Sequence, residues 1–171
     1  MTLEITADGE HQVSIDTPIL IREASRRDLG PMSKMWGPER ADAQRRVLQR
    51  YFDEQRQAVQ VGHVAEFNGA LVGQLWTRFH HIDPSISNGL ATAYMHTLTV
   101  IEPFRRLGVA EALTQAASAA ASADGHDYIA IGVDRPNGYA RRLYEKWGFH
   151  AYYETTDLRG DLVFLRRRTF E

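Results

Sequence analysis

The chain contains no cysteine. That excludes disulfides, cysteine-ligated metal and a cysteine nucleophile together, so any covalent chemistry must run through other groups. An excess of charge of one sign is missing as well: 20 Lys and Arg against 22 Asp and Glu leave a formal charge of −2. So small a charge gives no electrostatic footprint for nucleic acid. The basic run Arg166, Arg167 and Arg168 lies inside an apolar, strand-like end and reads as a solvated edge. Long hydrophobic runs are also absent. The small-residue stretch from Val109 to Ala123 is interrupted by Glu111, Gln115 and Ser118, and the opening MTLEITADGE lacks the basic-then-apolar pattern of a secretory signal. A cytoplasmic protein with no membrane or nucleic-acid partner is the expectation. No internal repeat and no low-complexity linker interrupt the chain.

What is present is ordinary globular material: 171 residues, 43% hydrophobic and 25% charged. A chain of this length can bury roughly two thirds of its unfolded surface in one core. Residues 1–16 alternate loosely (Leu3, Ile5, Val13, Ile15) around the turn pair Asp8-Gly9 and read as an arm or extra hairpin. Residues 17–171 read as a single domain. Pro18 to Ala24 predicts a strand, Ser25 and Asp28 a helix start, and Met32, Met35 and Trp36 a short helix ended at Gly37-Pro38. Val47, Leu48, Tyr51 and Phe52 form one apolar stripe on the next helix.

Strands Ala58 to Phe67 and Ala70 to His80 should pair through Asn68-Gly69, the strongest short-range hairpin signal in the chain. The stretch from His81 to Leu90 reads as a loop, and Ala91 to Val100 as a strand. Val109, Leu113, Ala116, Ala117 and Ala120 then recur with helical spacing up to Asp124-Gly125. A strand from Asp127 to Val133 follows. Asn137 is placed to cap a second helix with Ala140, Leu143, Tyr144 and Trp147 on one side, terminated by Gly148. Strands Phe149 to Glu154 and Leu162 to Arg167 complete the order, which implies a mixed α/β sheet with helices on both faces.

The informative passage runs from Leu98 to Ala110, Leu-Thr-Val-Ile-Glu-Pro-Phe-Arg-Arg-Leu-Gly-Val-Ala. A strand ends, a basic residue meets a flexible one, and a helix begins. Unpaired backbone N–H groups and the positive end of the helix dipole therefore point into one space, a geometry that binds pyrophosphate. Gly108 and Ala110 permit close approach of oxygens, and Arg105 and Arg106 add charge. One strand later comes Asn137-Gly138-Tyr139-Ala140-Arg141-Arg142-Leu143-Tyr144, then Gly148-Phe149.

With both strings at this separation, the sequence resembles the GNAT superfamily of N-acetyltransferases, in element order over residues 17–167 and specifically from Leu98 to Phe149. The resemblance implies a central twisted mixed sheet of about seven strands flanked by about four helices. It also implies acetyl-CoA as co-substrate, with no metal. The pyrophosphate would lie on Arg105, Arg106, Leu107, Gly108, Val109 and Ala110, with Glu111 beyond; Ala110 replaces the commoner glycine. Backbone groups of Leu98, Thr99 and Val100 would pair with the pantetheine arm as with an added strand, and Asn137 would contact the same arm.

An alkyl amine with a pKa of about 10.4 is neutral in roughly one molecule in a few thousand at pH 7, so a base is needed before it can attack. Tyr144, at the position of the family's proton-donating tyrosine, is the candidate acid for the departing thiolate. His96 is the first candidate base: an imidazole near pKa 6.5 suits neutral pH, and strand alternation gives it one face with Tyr94, Leu98 and Val100. The arylalkylamine branch of the family carries a proton-relaying histidine at the matching place. Glu66, His80, His81, Asp83 and Glu102 are competitors. No Gly-x-Ser-x-Gly elbow is present, so direct transfer in a ternary complex is expected, with a backbone donor, on the resemblance Val100, at the thioester oxygen. Trp36, Glu39, Asp42, Trp76, Phe79, His80, His81, Asp83 and Tyr94 form the candidate acceptor wall, aromatic with acidic groups, which suits a small cationic amine. A catalytically silent acyl-CoA-binding module and a peptide Nα-acetyltransferase are the alternatives. The amino-terminal hairpin and the final strands offer edges for a homodimer.

Overall fold

The structure, a computed structural model, describes residues 2–5, 11–14, 18–158 and 160–170. Strands β1 (Thr2–Ile5) and β2 (His11–Ser14) pair antiparallel as a sheet of their own. The Asp8-Gly9 turn between them and Ile15 lie outside the described residues. From Leu20 the order is β3 (Leu20–Glu23), α1 (Leu29–Ser33), α2 (Ala41–Arg56), β4 (Gln60–Phe67), β5 (Ala70–Arg78), α3 (Pro84–Ser87) and β6 (Thr92–Val100). Then come α4 (Val109–Ala123), β7 (Tyr128–Asp134), α5 (Gly138–Lys146), β8 (His150–Asp157) and β9 (Gly160–Arg168).

These strands make a seven-stranded sheet in the order β3-β4-β5-β6-β7-β9-β8. Asn68 and Gly69 both take positive φ, +47° and +80°, the two-residue turn whose twist suits a hairpin, and β4 and β5 pair along their length. The expected strand start at Ala58 moves to Gln60, because Ala58 itself turns at φ +57°. The helix expected around Met32, Met35 and Trp36 spans Leu29–Ser33, so it holds Met32 but ends before Met35, and the chain turns through to Gly37 at φ +98°. The loop from His81 to Leu90 holds one short helix, capped by Asp83, whose carboxylate accepts from Ser85 N–H at 2.8 Å.

Helices cover both faces. Leu48 and Phe52 of α2 pack with Met32, Val64 and Trp76 on one. On the other, Val109, Leu113, Ala117 and Ala121 of α4 sit at i, i+4 spacing against Leu75, Met95 and Ile129. Their closeness depends on Gly73 beneath: a Cβ there would stand 3.1 Å from Leu113 Cδ1 and 3.2 Å from Val109 Cγ1. Tyr144 and Phe149 join the same core behind α5.

Two irregularities in β6 position everything that follows. β6 and β7 run parallel and pair only from Thr92 to Met95, after which the strands carry on apart and the sheet splits. On its other side, β6 places three residue steps, His96 to Thr99, against two steps of β5, Trp76 to Gln74. That is a β-bulge, and Thr97 within it holds φ +59°, a left-handed conformation that a β-branched residue adopts only under constraint. The expected alternation therefore fails: His96 shares a face with Tyr94, but Leu98 and Val100 are turned to the opposite face and pack into the α4 core.

Leu113→Ala should remove a fully buried side chain from the α4 seat and lower unfolding stability by about 2–5 kcal/mol, read from urea denaturation with an unchanged m-value. A loss below about 1 kcal/mol would place α4 outside the core.

Candidate functional site

Two clefts open on β6, one from each end of its bulge. The first, about 490 Å³, lies between the end of β6, the start of α4 and the outer side of α5. The turn leading into it is held by Phe104, buried with its ring 5.3 Å from that of Phe67. Arg106 at φ +62° and Gly108 at φ +82° are both left-handed, and α4 starts at Val109 with no side-chain cap. The N–H groups of Val109, Ala110 and Glu111 are left without helical partners and face the cleft, since the first α4 bond runs from Ala112 N–H to Gly108 O. Thr99, Val100, Arg105 and Arg106 complete this wall.

Ile101 N–H bonds Val72 O across β5 at 3.0 Å, so antiparallel alternation turns the N–H and C=O of Val100 the other way, into the split. Its carbonyl is occupied by Arg105 Nε at 3.0 Å and its N–H points toward the space between β6 and β7. Three predicted residues stay off this wall. Leu98 packs into the core, Leu107 is exposed on the turn, and Asn137 caps α5, its Oδ1 accepting from Ala140 N–H at 3.1 Å. Tyr139, Leu143, Lys146 and Trp147 line the far side and were not singled out for it. The α5 spacing that signals a buried stripe gives no sign that Leu143 and Trp147 also border a cavity.

Tyr144 lies at 6% exposure with its ring edge-on to Trp147 and Phe149, each at 5.5 Å. Burial, with the nearby Tyr94 hydroxyl adding to it, pushes its phenol above the ordinary range, so it keeps its proton at any physiological pH.

The second cleft, about 460 Å³, opens on the α2 side. Arg50, Tyr51, Arg78, Asp83, Tyr94 and His96 border it, with His81 and Thr97. His96 stacks on Tyr94 at 6.2 Å and meets the Tyr51 ring edge-on at 5.1 Å. Its protonation follows from its neighbours. Gln60 donates through Nε2 to Glu54, so Gln60 Oε1 is an acceptor, and His96 Nε2, 2.8 Å away, must carry the proton. Nδ1 is then the lone pair, accepting from Thr97 Oγ1 at 2.9 Å. Burial first, then the charges of Arg78 and Arg50, lowers the His96 pKa to about 4. The expectation of an imidazole near 6.5 is thereby corrected: His96 is neutral at pH 7, and strongly so.

The remaining candidates disperse. Trp76 is fully buried beneath Tyr51 and Phe52, Trp36 packs at the edge of the same core, and Glu39 and Asp42 are exposed near the start of α2. Phe79 stacks on His126, and His80 faces Asp124 at 4.0 Å, away from the second cleft. Glu66 is paired with Arg22 at 2.9 Å, and Glu102 is exposed on the turn after β6. Of the expected acceptor wall, His81, Asp83 and Tyr94 reach this cleft, and two arginines join them. The expected acidic lining is therefore reduced to Asp83, with Arg50 and Arg78 beside it. Among the described residues, no group of three His, Asp or Glu is placed to hold a metal, and no helix is long and apolar enough to cross a membrane.

The mixed sheet splits between two parallel strands and carries an anion-ready turn and helix start at the split. The chain belongs to the GNAT acetyltransferase family, whose sequence model, described as "Acetyltransferase (GNAT) family", matches residues 23–149. No curated protein matches the chain at a significant level. Among solved structures it is similar to the Salmonella typhimurium protein yncA with its cofactor acetyl-CoA, at TM-score 0.69 and 16% identity, covering 90% of this chain and 95% of that one. It is similar to a ribosomal-protein-alanine N-acetyltransferase from Brucella melitensis at TM-score 0.71 and 17% identity, covering 87% and 99%. An aminoglycoside 6'-N-acetyltransferase complexed with coenzyme A follows at TM-score 0.68 and 14% identity, covering 89% and 98%. At these identities the likeness is one of fold.

His96 also links the site to stability. A histidine at about pKa 4 when folded and near 6.5 when unfolded favours the unfolded chain as pH falls from 6.5 to 4, and has no such effect above 6.5. Comparing wild type with His96→Gln by denaturant titration across that window should show about 3 kcal/mol lost by the wild type alone. Parallel pH curves for the two would contradict the neutral, buried imidazole.

Proposed function

We propose that the chain transfers an acetyl group from acetyl-CoA to a primary amine by direct attack in a ternary complex. The observation that carries this reading is the placement of the clefts: Thr99 and Val100 line one, Tyr94, His96 and Thr97 the other, and both belong to one nine-residue strand. At about 3.3 Å per residue, the two walls lie within about 7 Å along β6. A donor on one side and an acceptor on the other would meet at the split.

The residues fit such a donor. The N–H groups of Val109, Ala110 and Glu111 and the Arg106 guanidinium suit a pyrophosphate, and the stretch of β6 after Met95, unpaired on its β7 side, suits the amides of a pantetheine arm. Acetyl-CoA supplies an activated thioester. Val100 N–H donates to its carbonyl oxygen as negative charge develops there. Tyr144, kept protonated by burial, gives its proton to the departing sulfur as the C–S bond breaks, and the tyrosinate takes a proton back from water before the next turnover. His96 Nδ1 receives the proton lost by the amine, through the Thr97 hydroxyl or a water beside it. Because His96 is a weak base, it accepts a proton only as the N–C bond forms and the attacking nitrogen becomes acidic. Its part is relay rather than prior deprotonation of a free ammonium.

CoA release in the presence of acetyl-CoA and a panel of amines, amino acids, aminoglycosides, polyamines and peptides tests this reading. With an active amine, Tyr144→Phe and His96→Gln should each lower kcat by about 10²-fold or more with small changes in KM for acetyl-CoA. Wild-type rates across pH in both variants would remove the acid and relay roles. Gly108→Val, which forces a β-branched residue to φ +82°, should weaken CoA binding on the order of tenfold by calorimetry. Unchanged affinity would move the pyrophosphate off this turn. CoA binding without turnover of any amine would favour a silent binding module.

A further inference from the structure

The second cleft carries a charge pattern that acetyl transfer as such does not require. Arg50 and Arg78 both border it, on the same side of the sheet as His96. Arg78 is paired with Glu54, whereas Arg50 has no carboxylate partner among the described residues. The Arg50 guanidinium lies 5.7 Å from the centre of the Tyr51 ring. Arg78 is bonded through Nη2 alone, to Glu54 Oε2 at 2.6 Å, and Glu54 also receives Gln60. Asp83 is the one acidic side chain on the wall, and its Oδ1 is committed to Ser85, accepting from N–H at 2.8 Å and from Oγ at 2.6 Å.

On the acetyl-transfer reading above, we propose that the acceptor is an amine that carries a carboxylate, of the amino-acid class, held by Arg50 and Arg78 with its amino group toward Thr97 and His96. A planar guanidinium matches a carboxylate with two parallel N–H bonds, which fixes orientation as well as affinity. The aromatic faces of Tyr51 and Tyr94 flank the space between the two ends. The same positive charges disfavour an ammonium in the cleft, so an amine anchored by its carboxylate is shifted toward its neutral, nucleophilic form. A polycation meets two guanidinium groups, with Asp83 the one acidic side chain on the wall to offset them. The preference thus runs opposite to the cationic amine that the sequence suggests.

The test compares amines that differ only in the carboxylate. The common amino acids and 4-aminobutyrate are assayed by CoA release, each beside its amide, with spermidine and kanamycin as cationic probes. The expected result is kcat/KM at least tenfold higher for at least one acid than for its amide. Arg50→Ala should raise KM for that acid at least tenfold, with kcat and KM for acetyl-CoA changing less than threefold; Arg50→Lys should recover part of the loss. Arg45→Ala, on α2 but away from the cleft, is the control. Equal or better use of amides, spermidine or kanamycin overturns the proposal, as does an Arg50→Ala variant that treats acid and amide alike. If no amine is acetylated at all, the acetyl-transfer reading fails separately, and calorimetry with the same acids and amides decides this one. Acid-selective binding lost in Arg50→Ala sustains it, and absence of such binding overturns it.

Discussion

The whole arrangement depends on one strand ceasing to behave as a strand. β6 is paired on both sides as far as Met95, and then loses β7 while gaining a residue against β5. The first event exposes backbone N–H and C=O groups at the middle of a sheet, where they would ordinarily be satisfied by a neighbour. The second rotates the strand, so that His96 looks toward α2 and Val100 toward α4 and the split. A regular β6 would present both residues on one face and leave no opening between them. Thr97 at φ +59° is the point where the backbone absorbs this, held by ladder bonds before and after it and by the bond from its hydroxyl to His96. Strain of this kind persists only where surrounding structure over-determines it.

Much of the frame was readable from local signals. The Asn68-Gly69 turn, the apolar spacing of α4 and the glycines ending α4 and α5 each act within a few residues, and each appears where the pattern placed it. The turn from Arg105 to Ala110 was readable for the same reason, since a helix start exposes its own N–H groups whatever surrounds it. What was not readable depends on distant partners. Nothing in the string Met-His-Thr-Leu marks Thr97 for a bulge, because β-branched residues favour extended backbone. The pKa of His96 is set by burial under α2 and by Arg50 and Arg78, 46 and 18 positions earlier in the chain. Trp76 looked like an acceptor-wall residue and is instead floor beneath it. Its ring fills the space above Gly62, where a Cβ would come within 2.9 Å of it.

The two clefts differ in how they are built, which bears on what each can discriminate. The first cleft has one wall of backbone at a helix start, a feature suited to phosphate and amide geometry, and faces side chains of α5. The second cleft is walled by side chains from α2, the end of β5, the α3 turn and β6, segments far apart in the chain.

The chain of bonds from Glu54 through Gln60 to His96 has a direction. Gln60 receives the Nε2 proton of His96 at an amide oxygen, which does not take the proton away, and its own Nε2 is already turned to Glu54. A proton arriving at Nδ1 therefore has no inward exit, and must leave past Thr97, by the door through which it came. On the acetyl-transfer reading, each turnover leaves one proton on His96 in the second cleft and one missing from Tyr144. Water has to re-enter that cleft before the imidazole is reset, so clearing the acetylated product and discharging the proton become a single event.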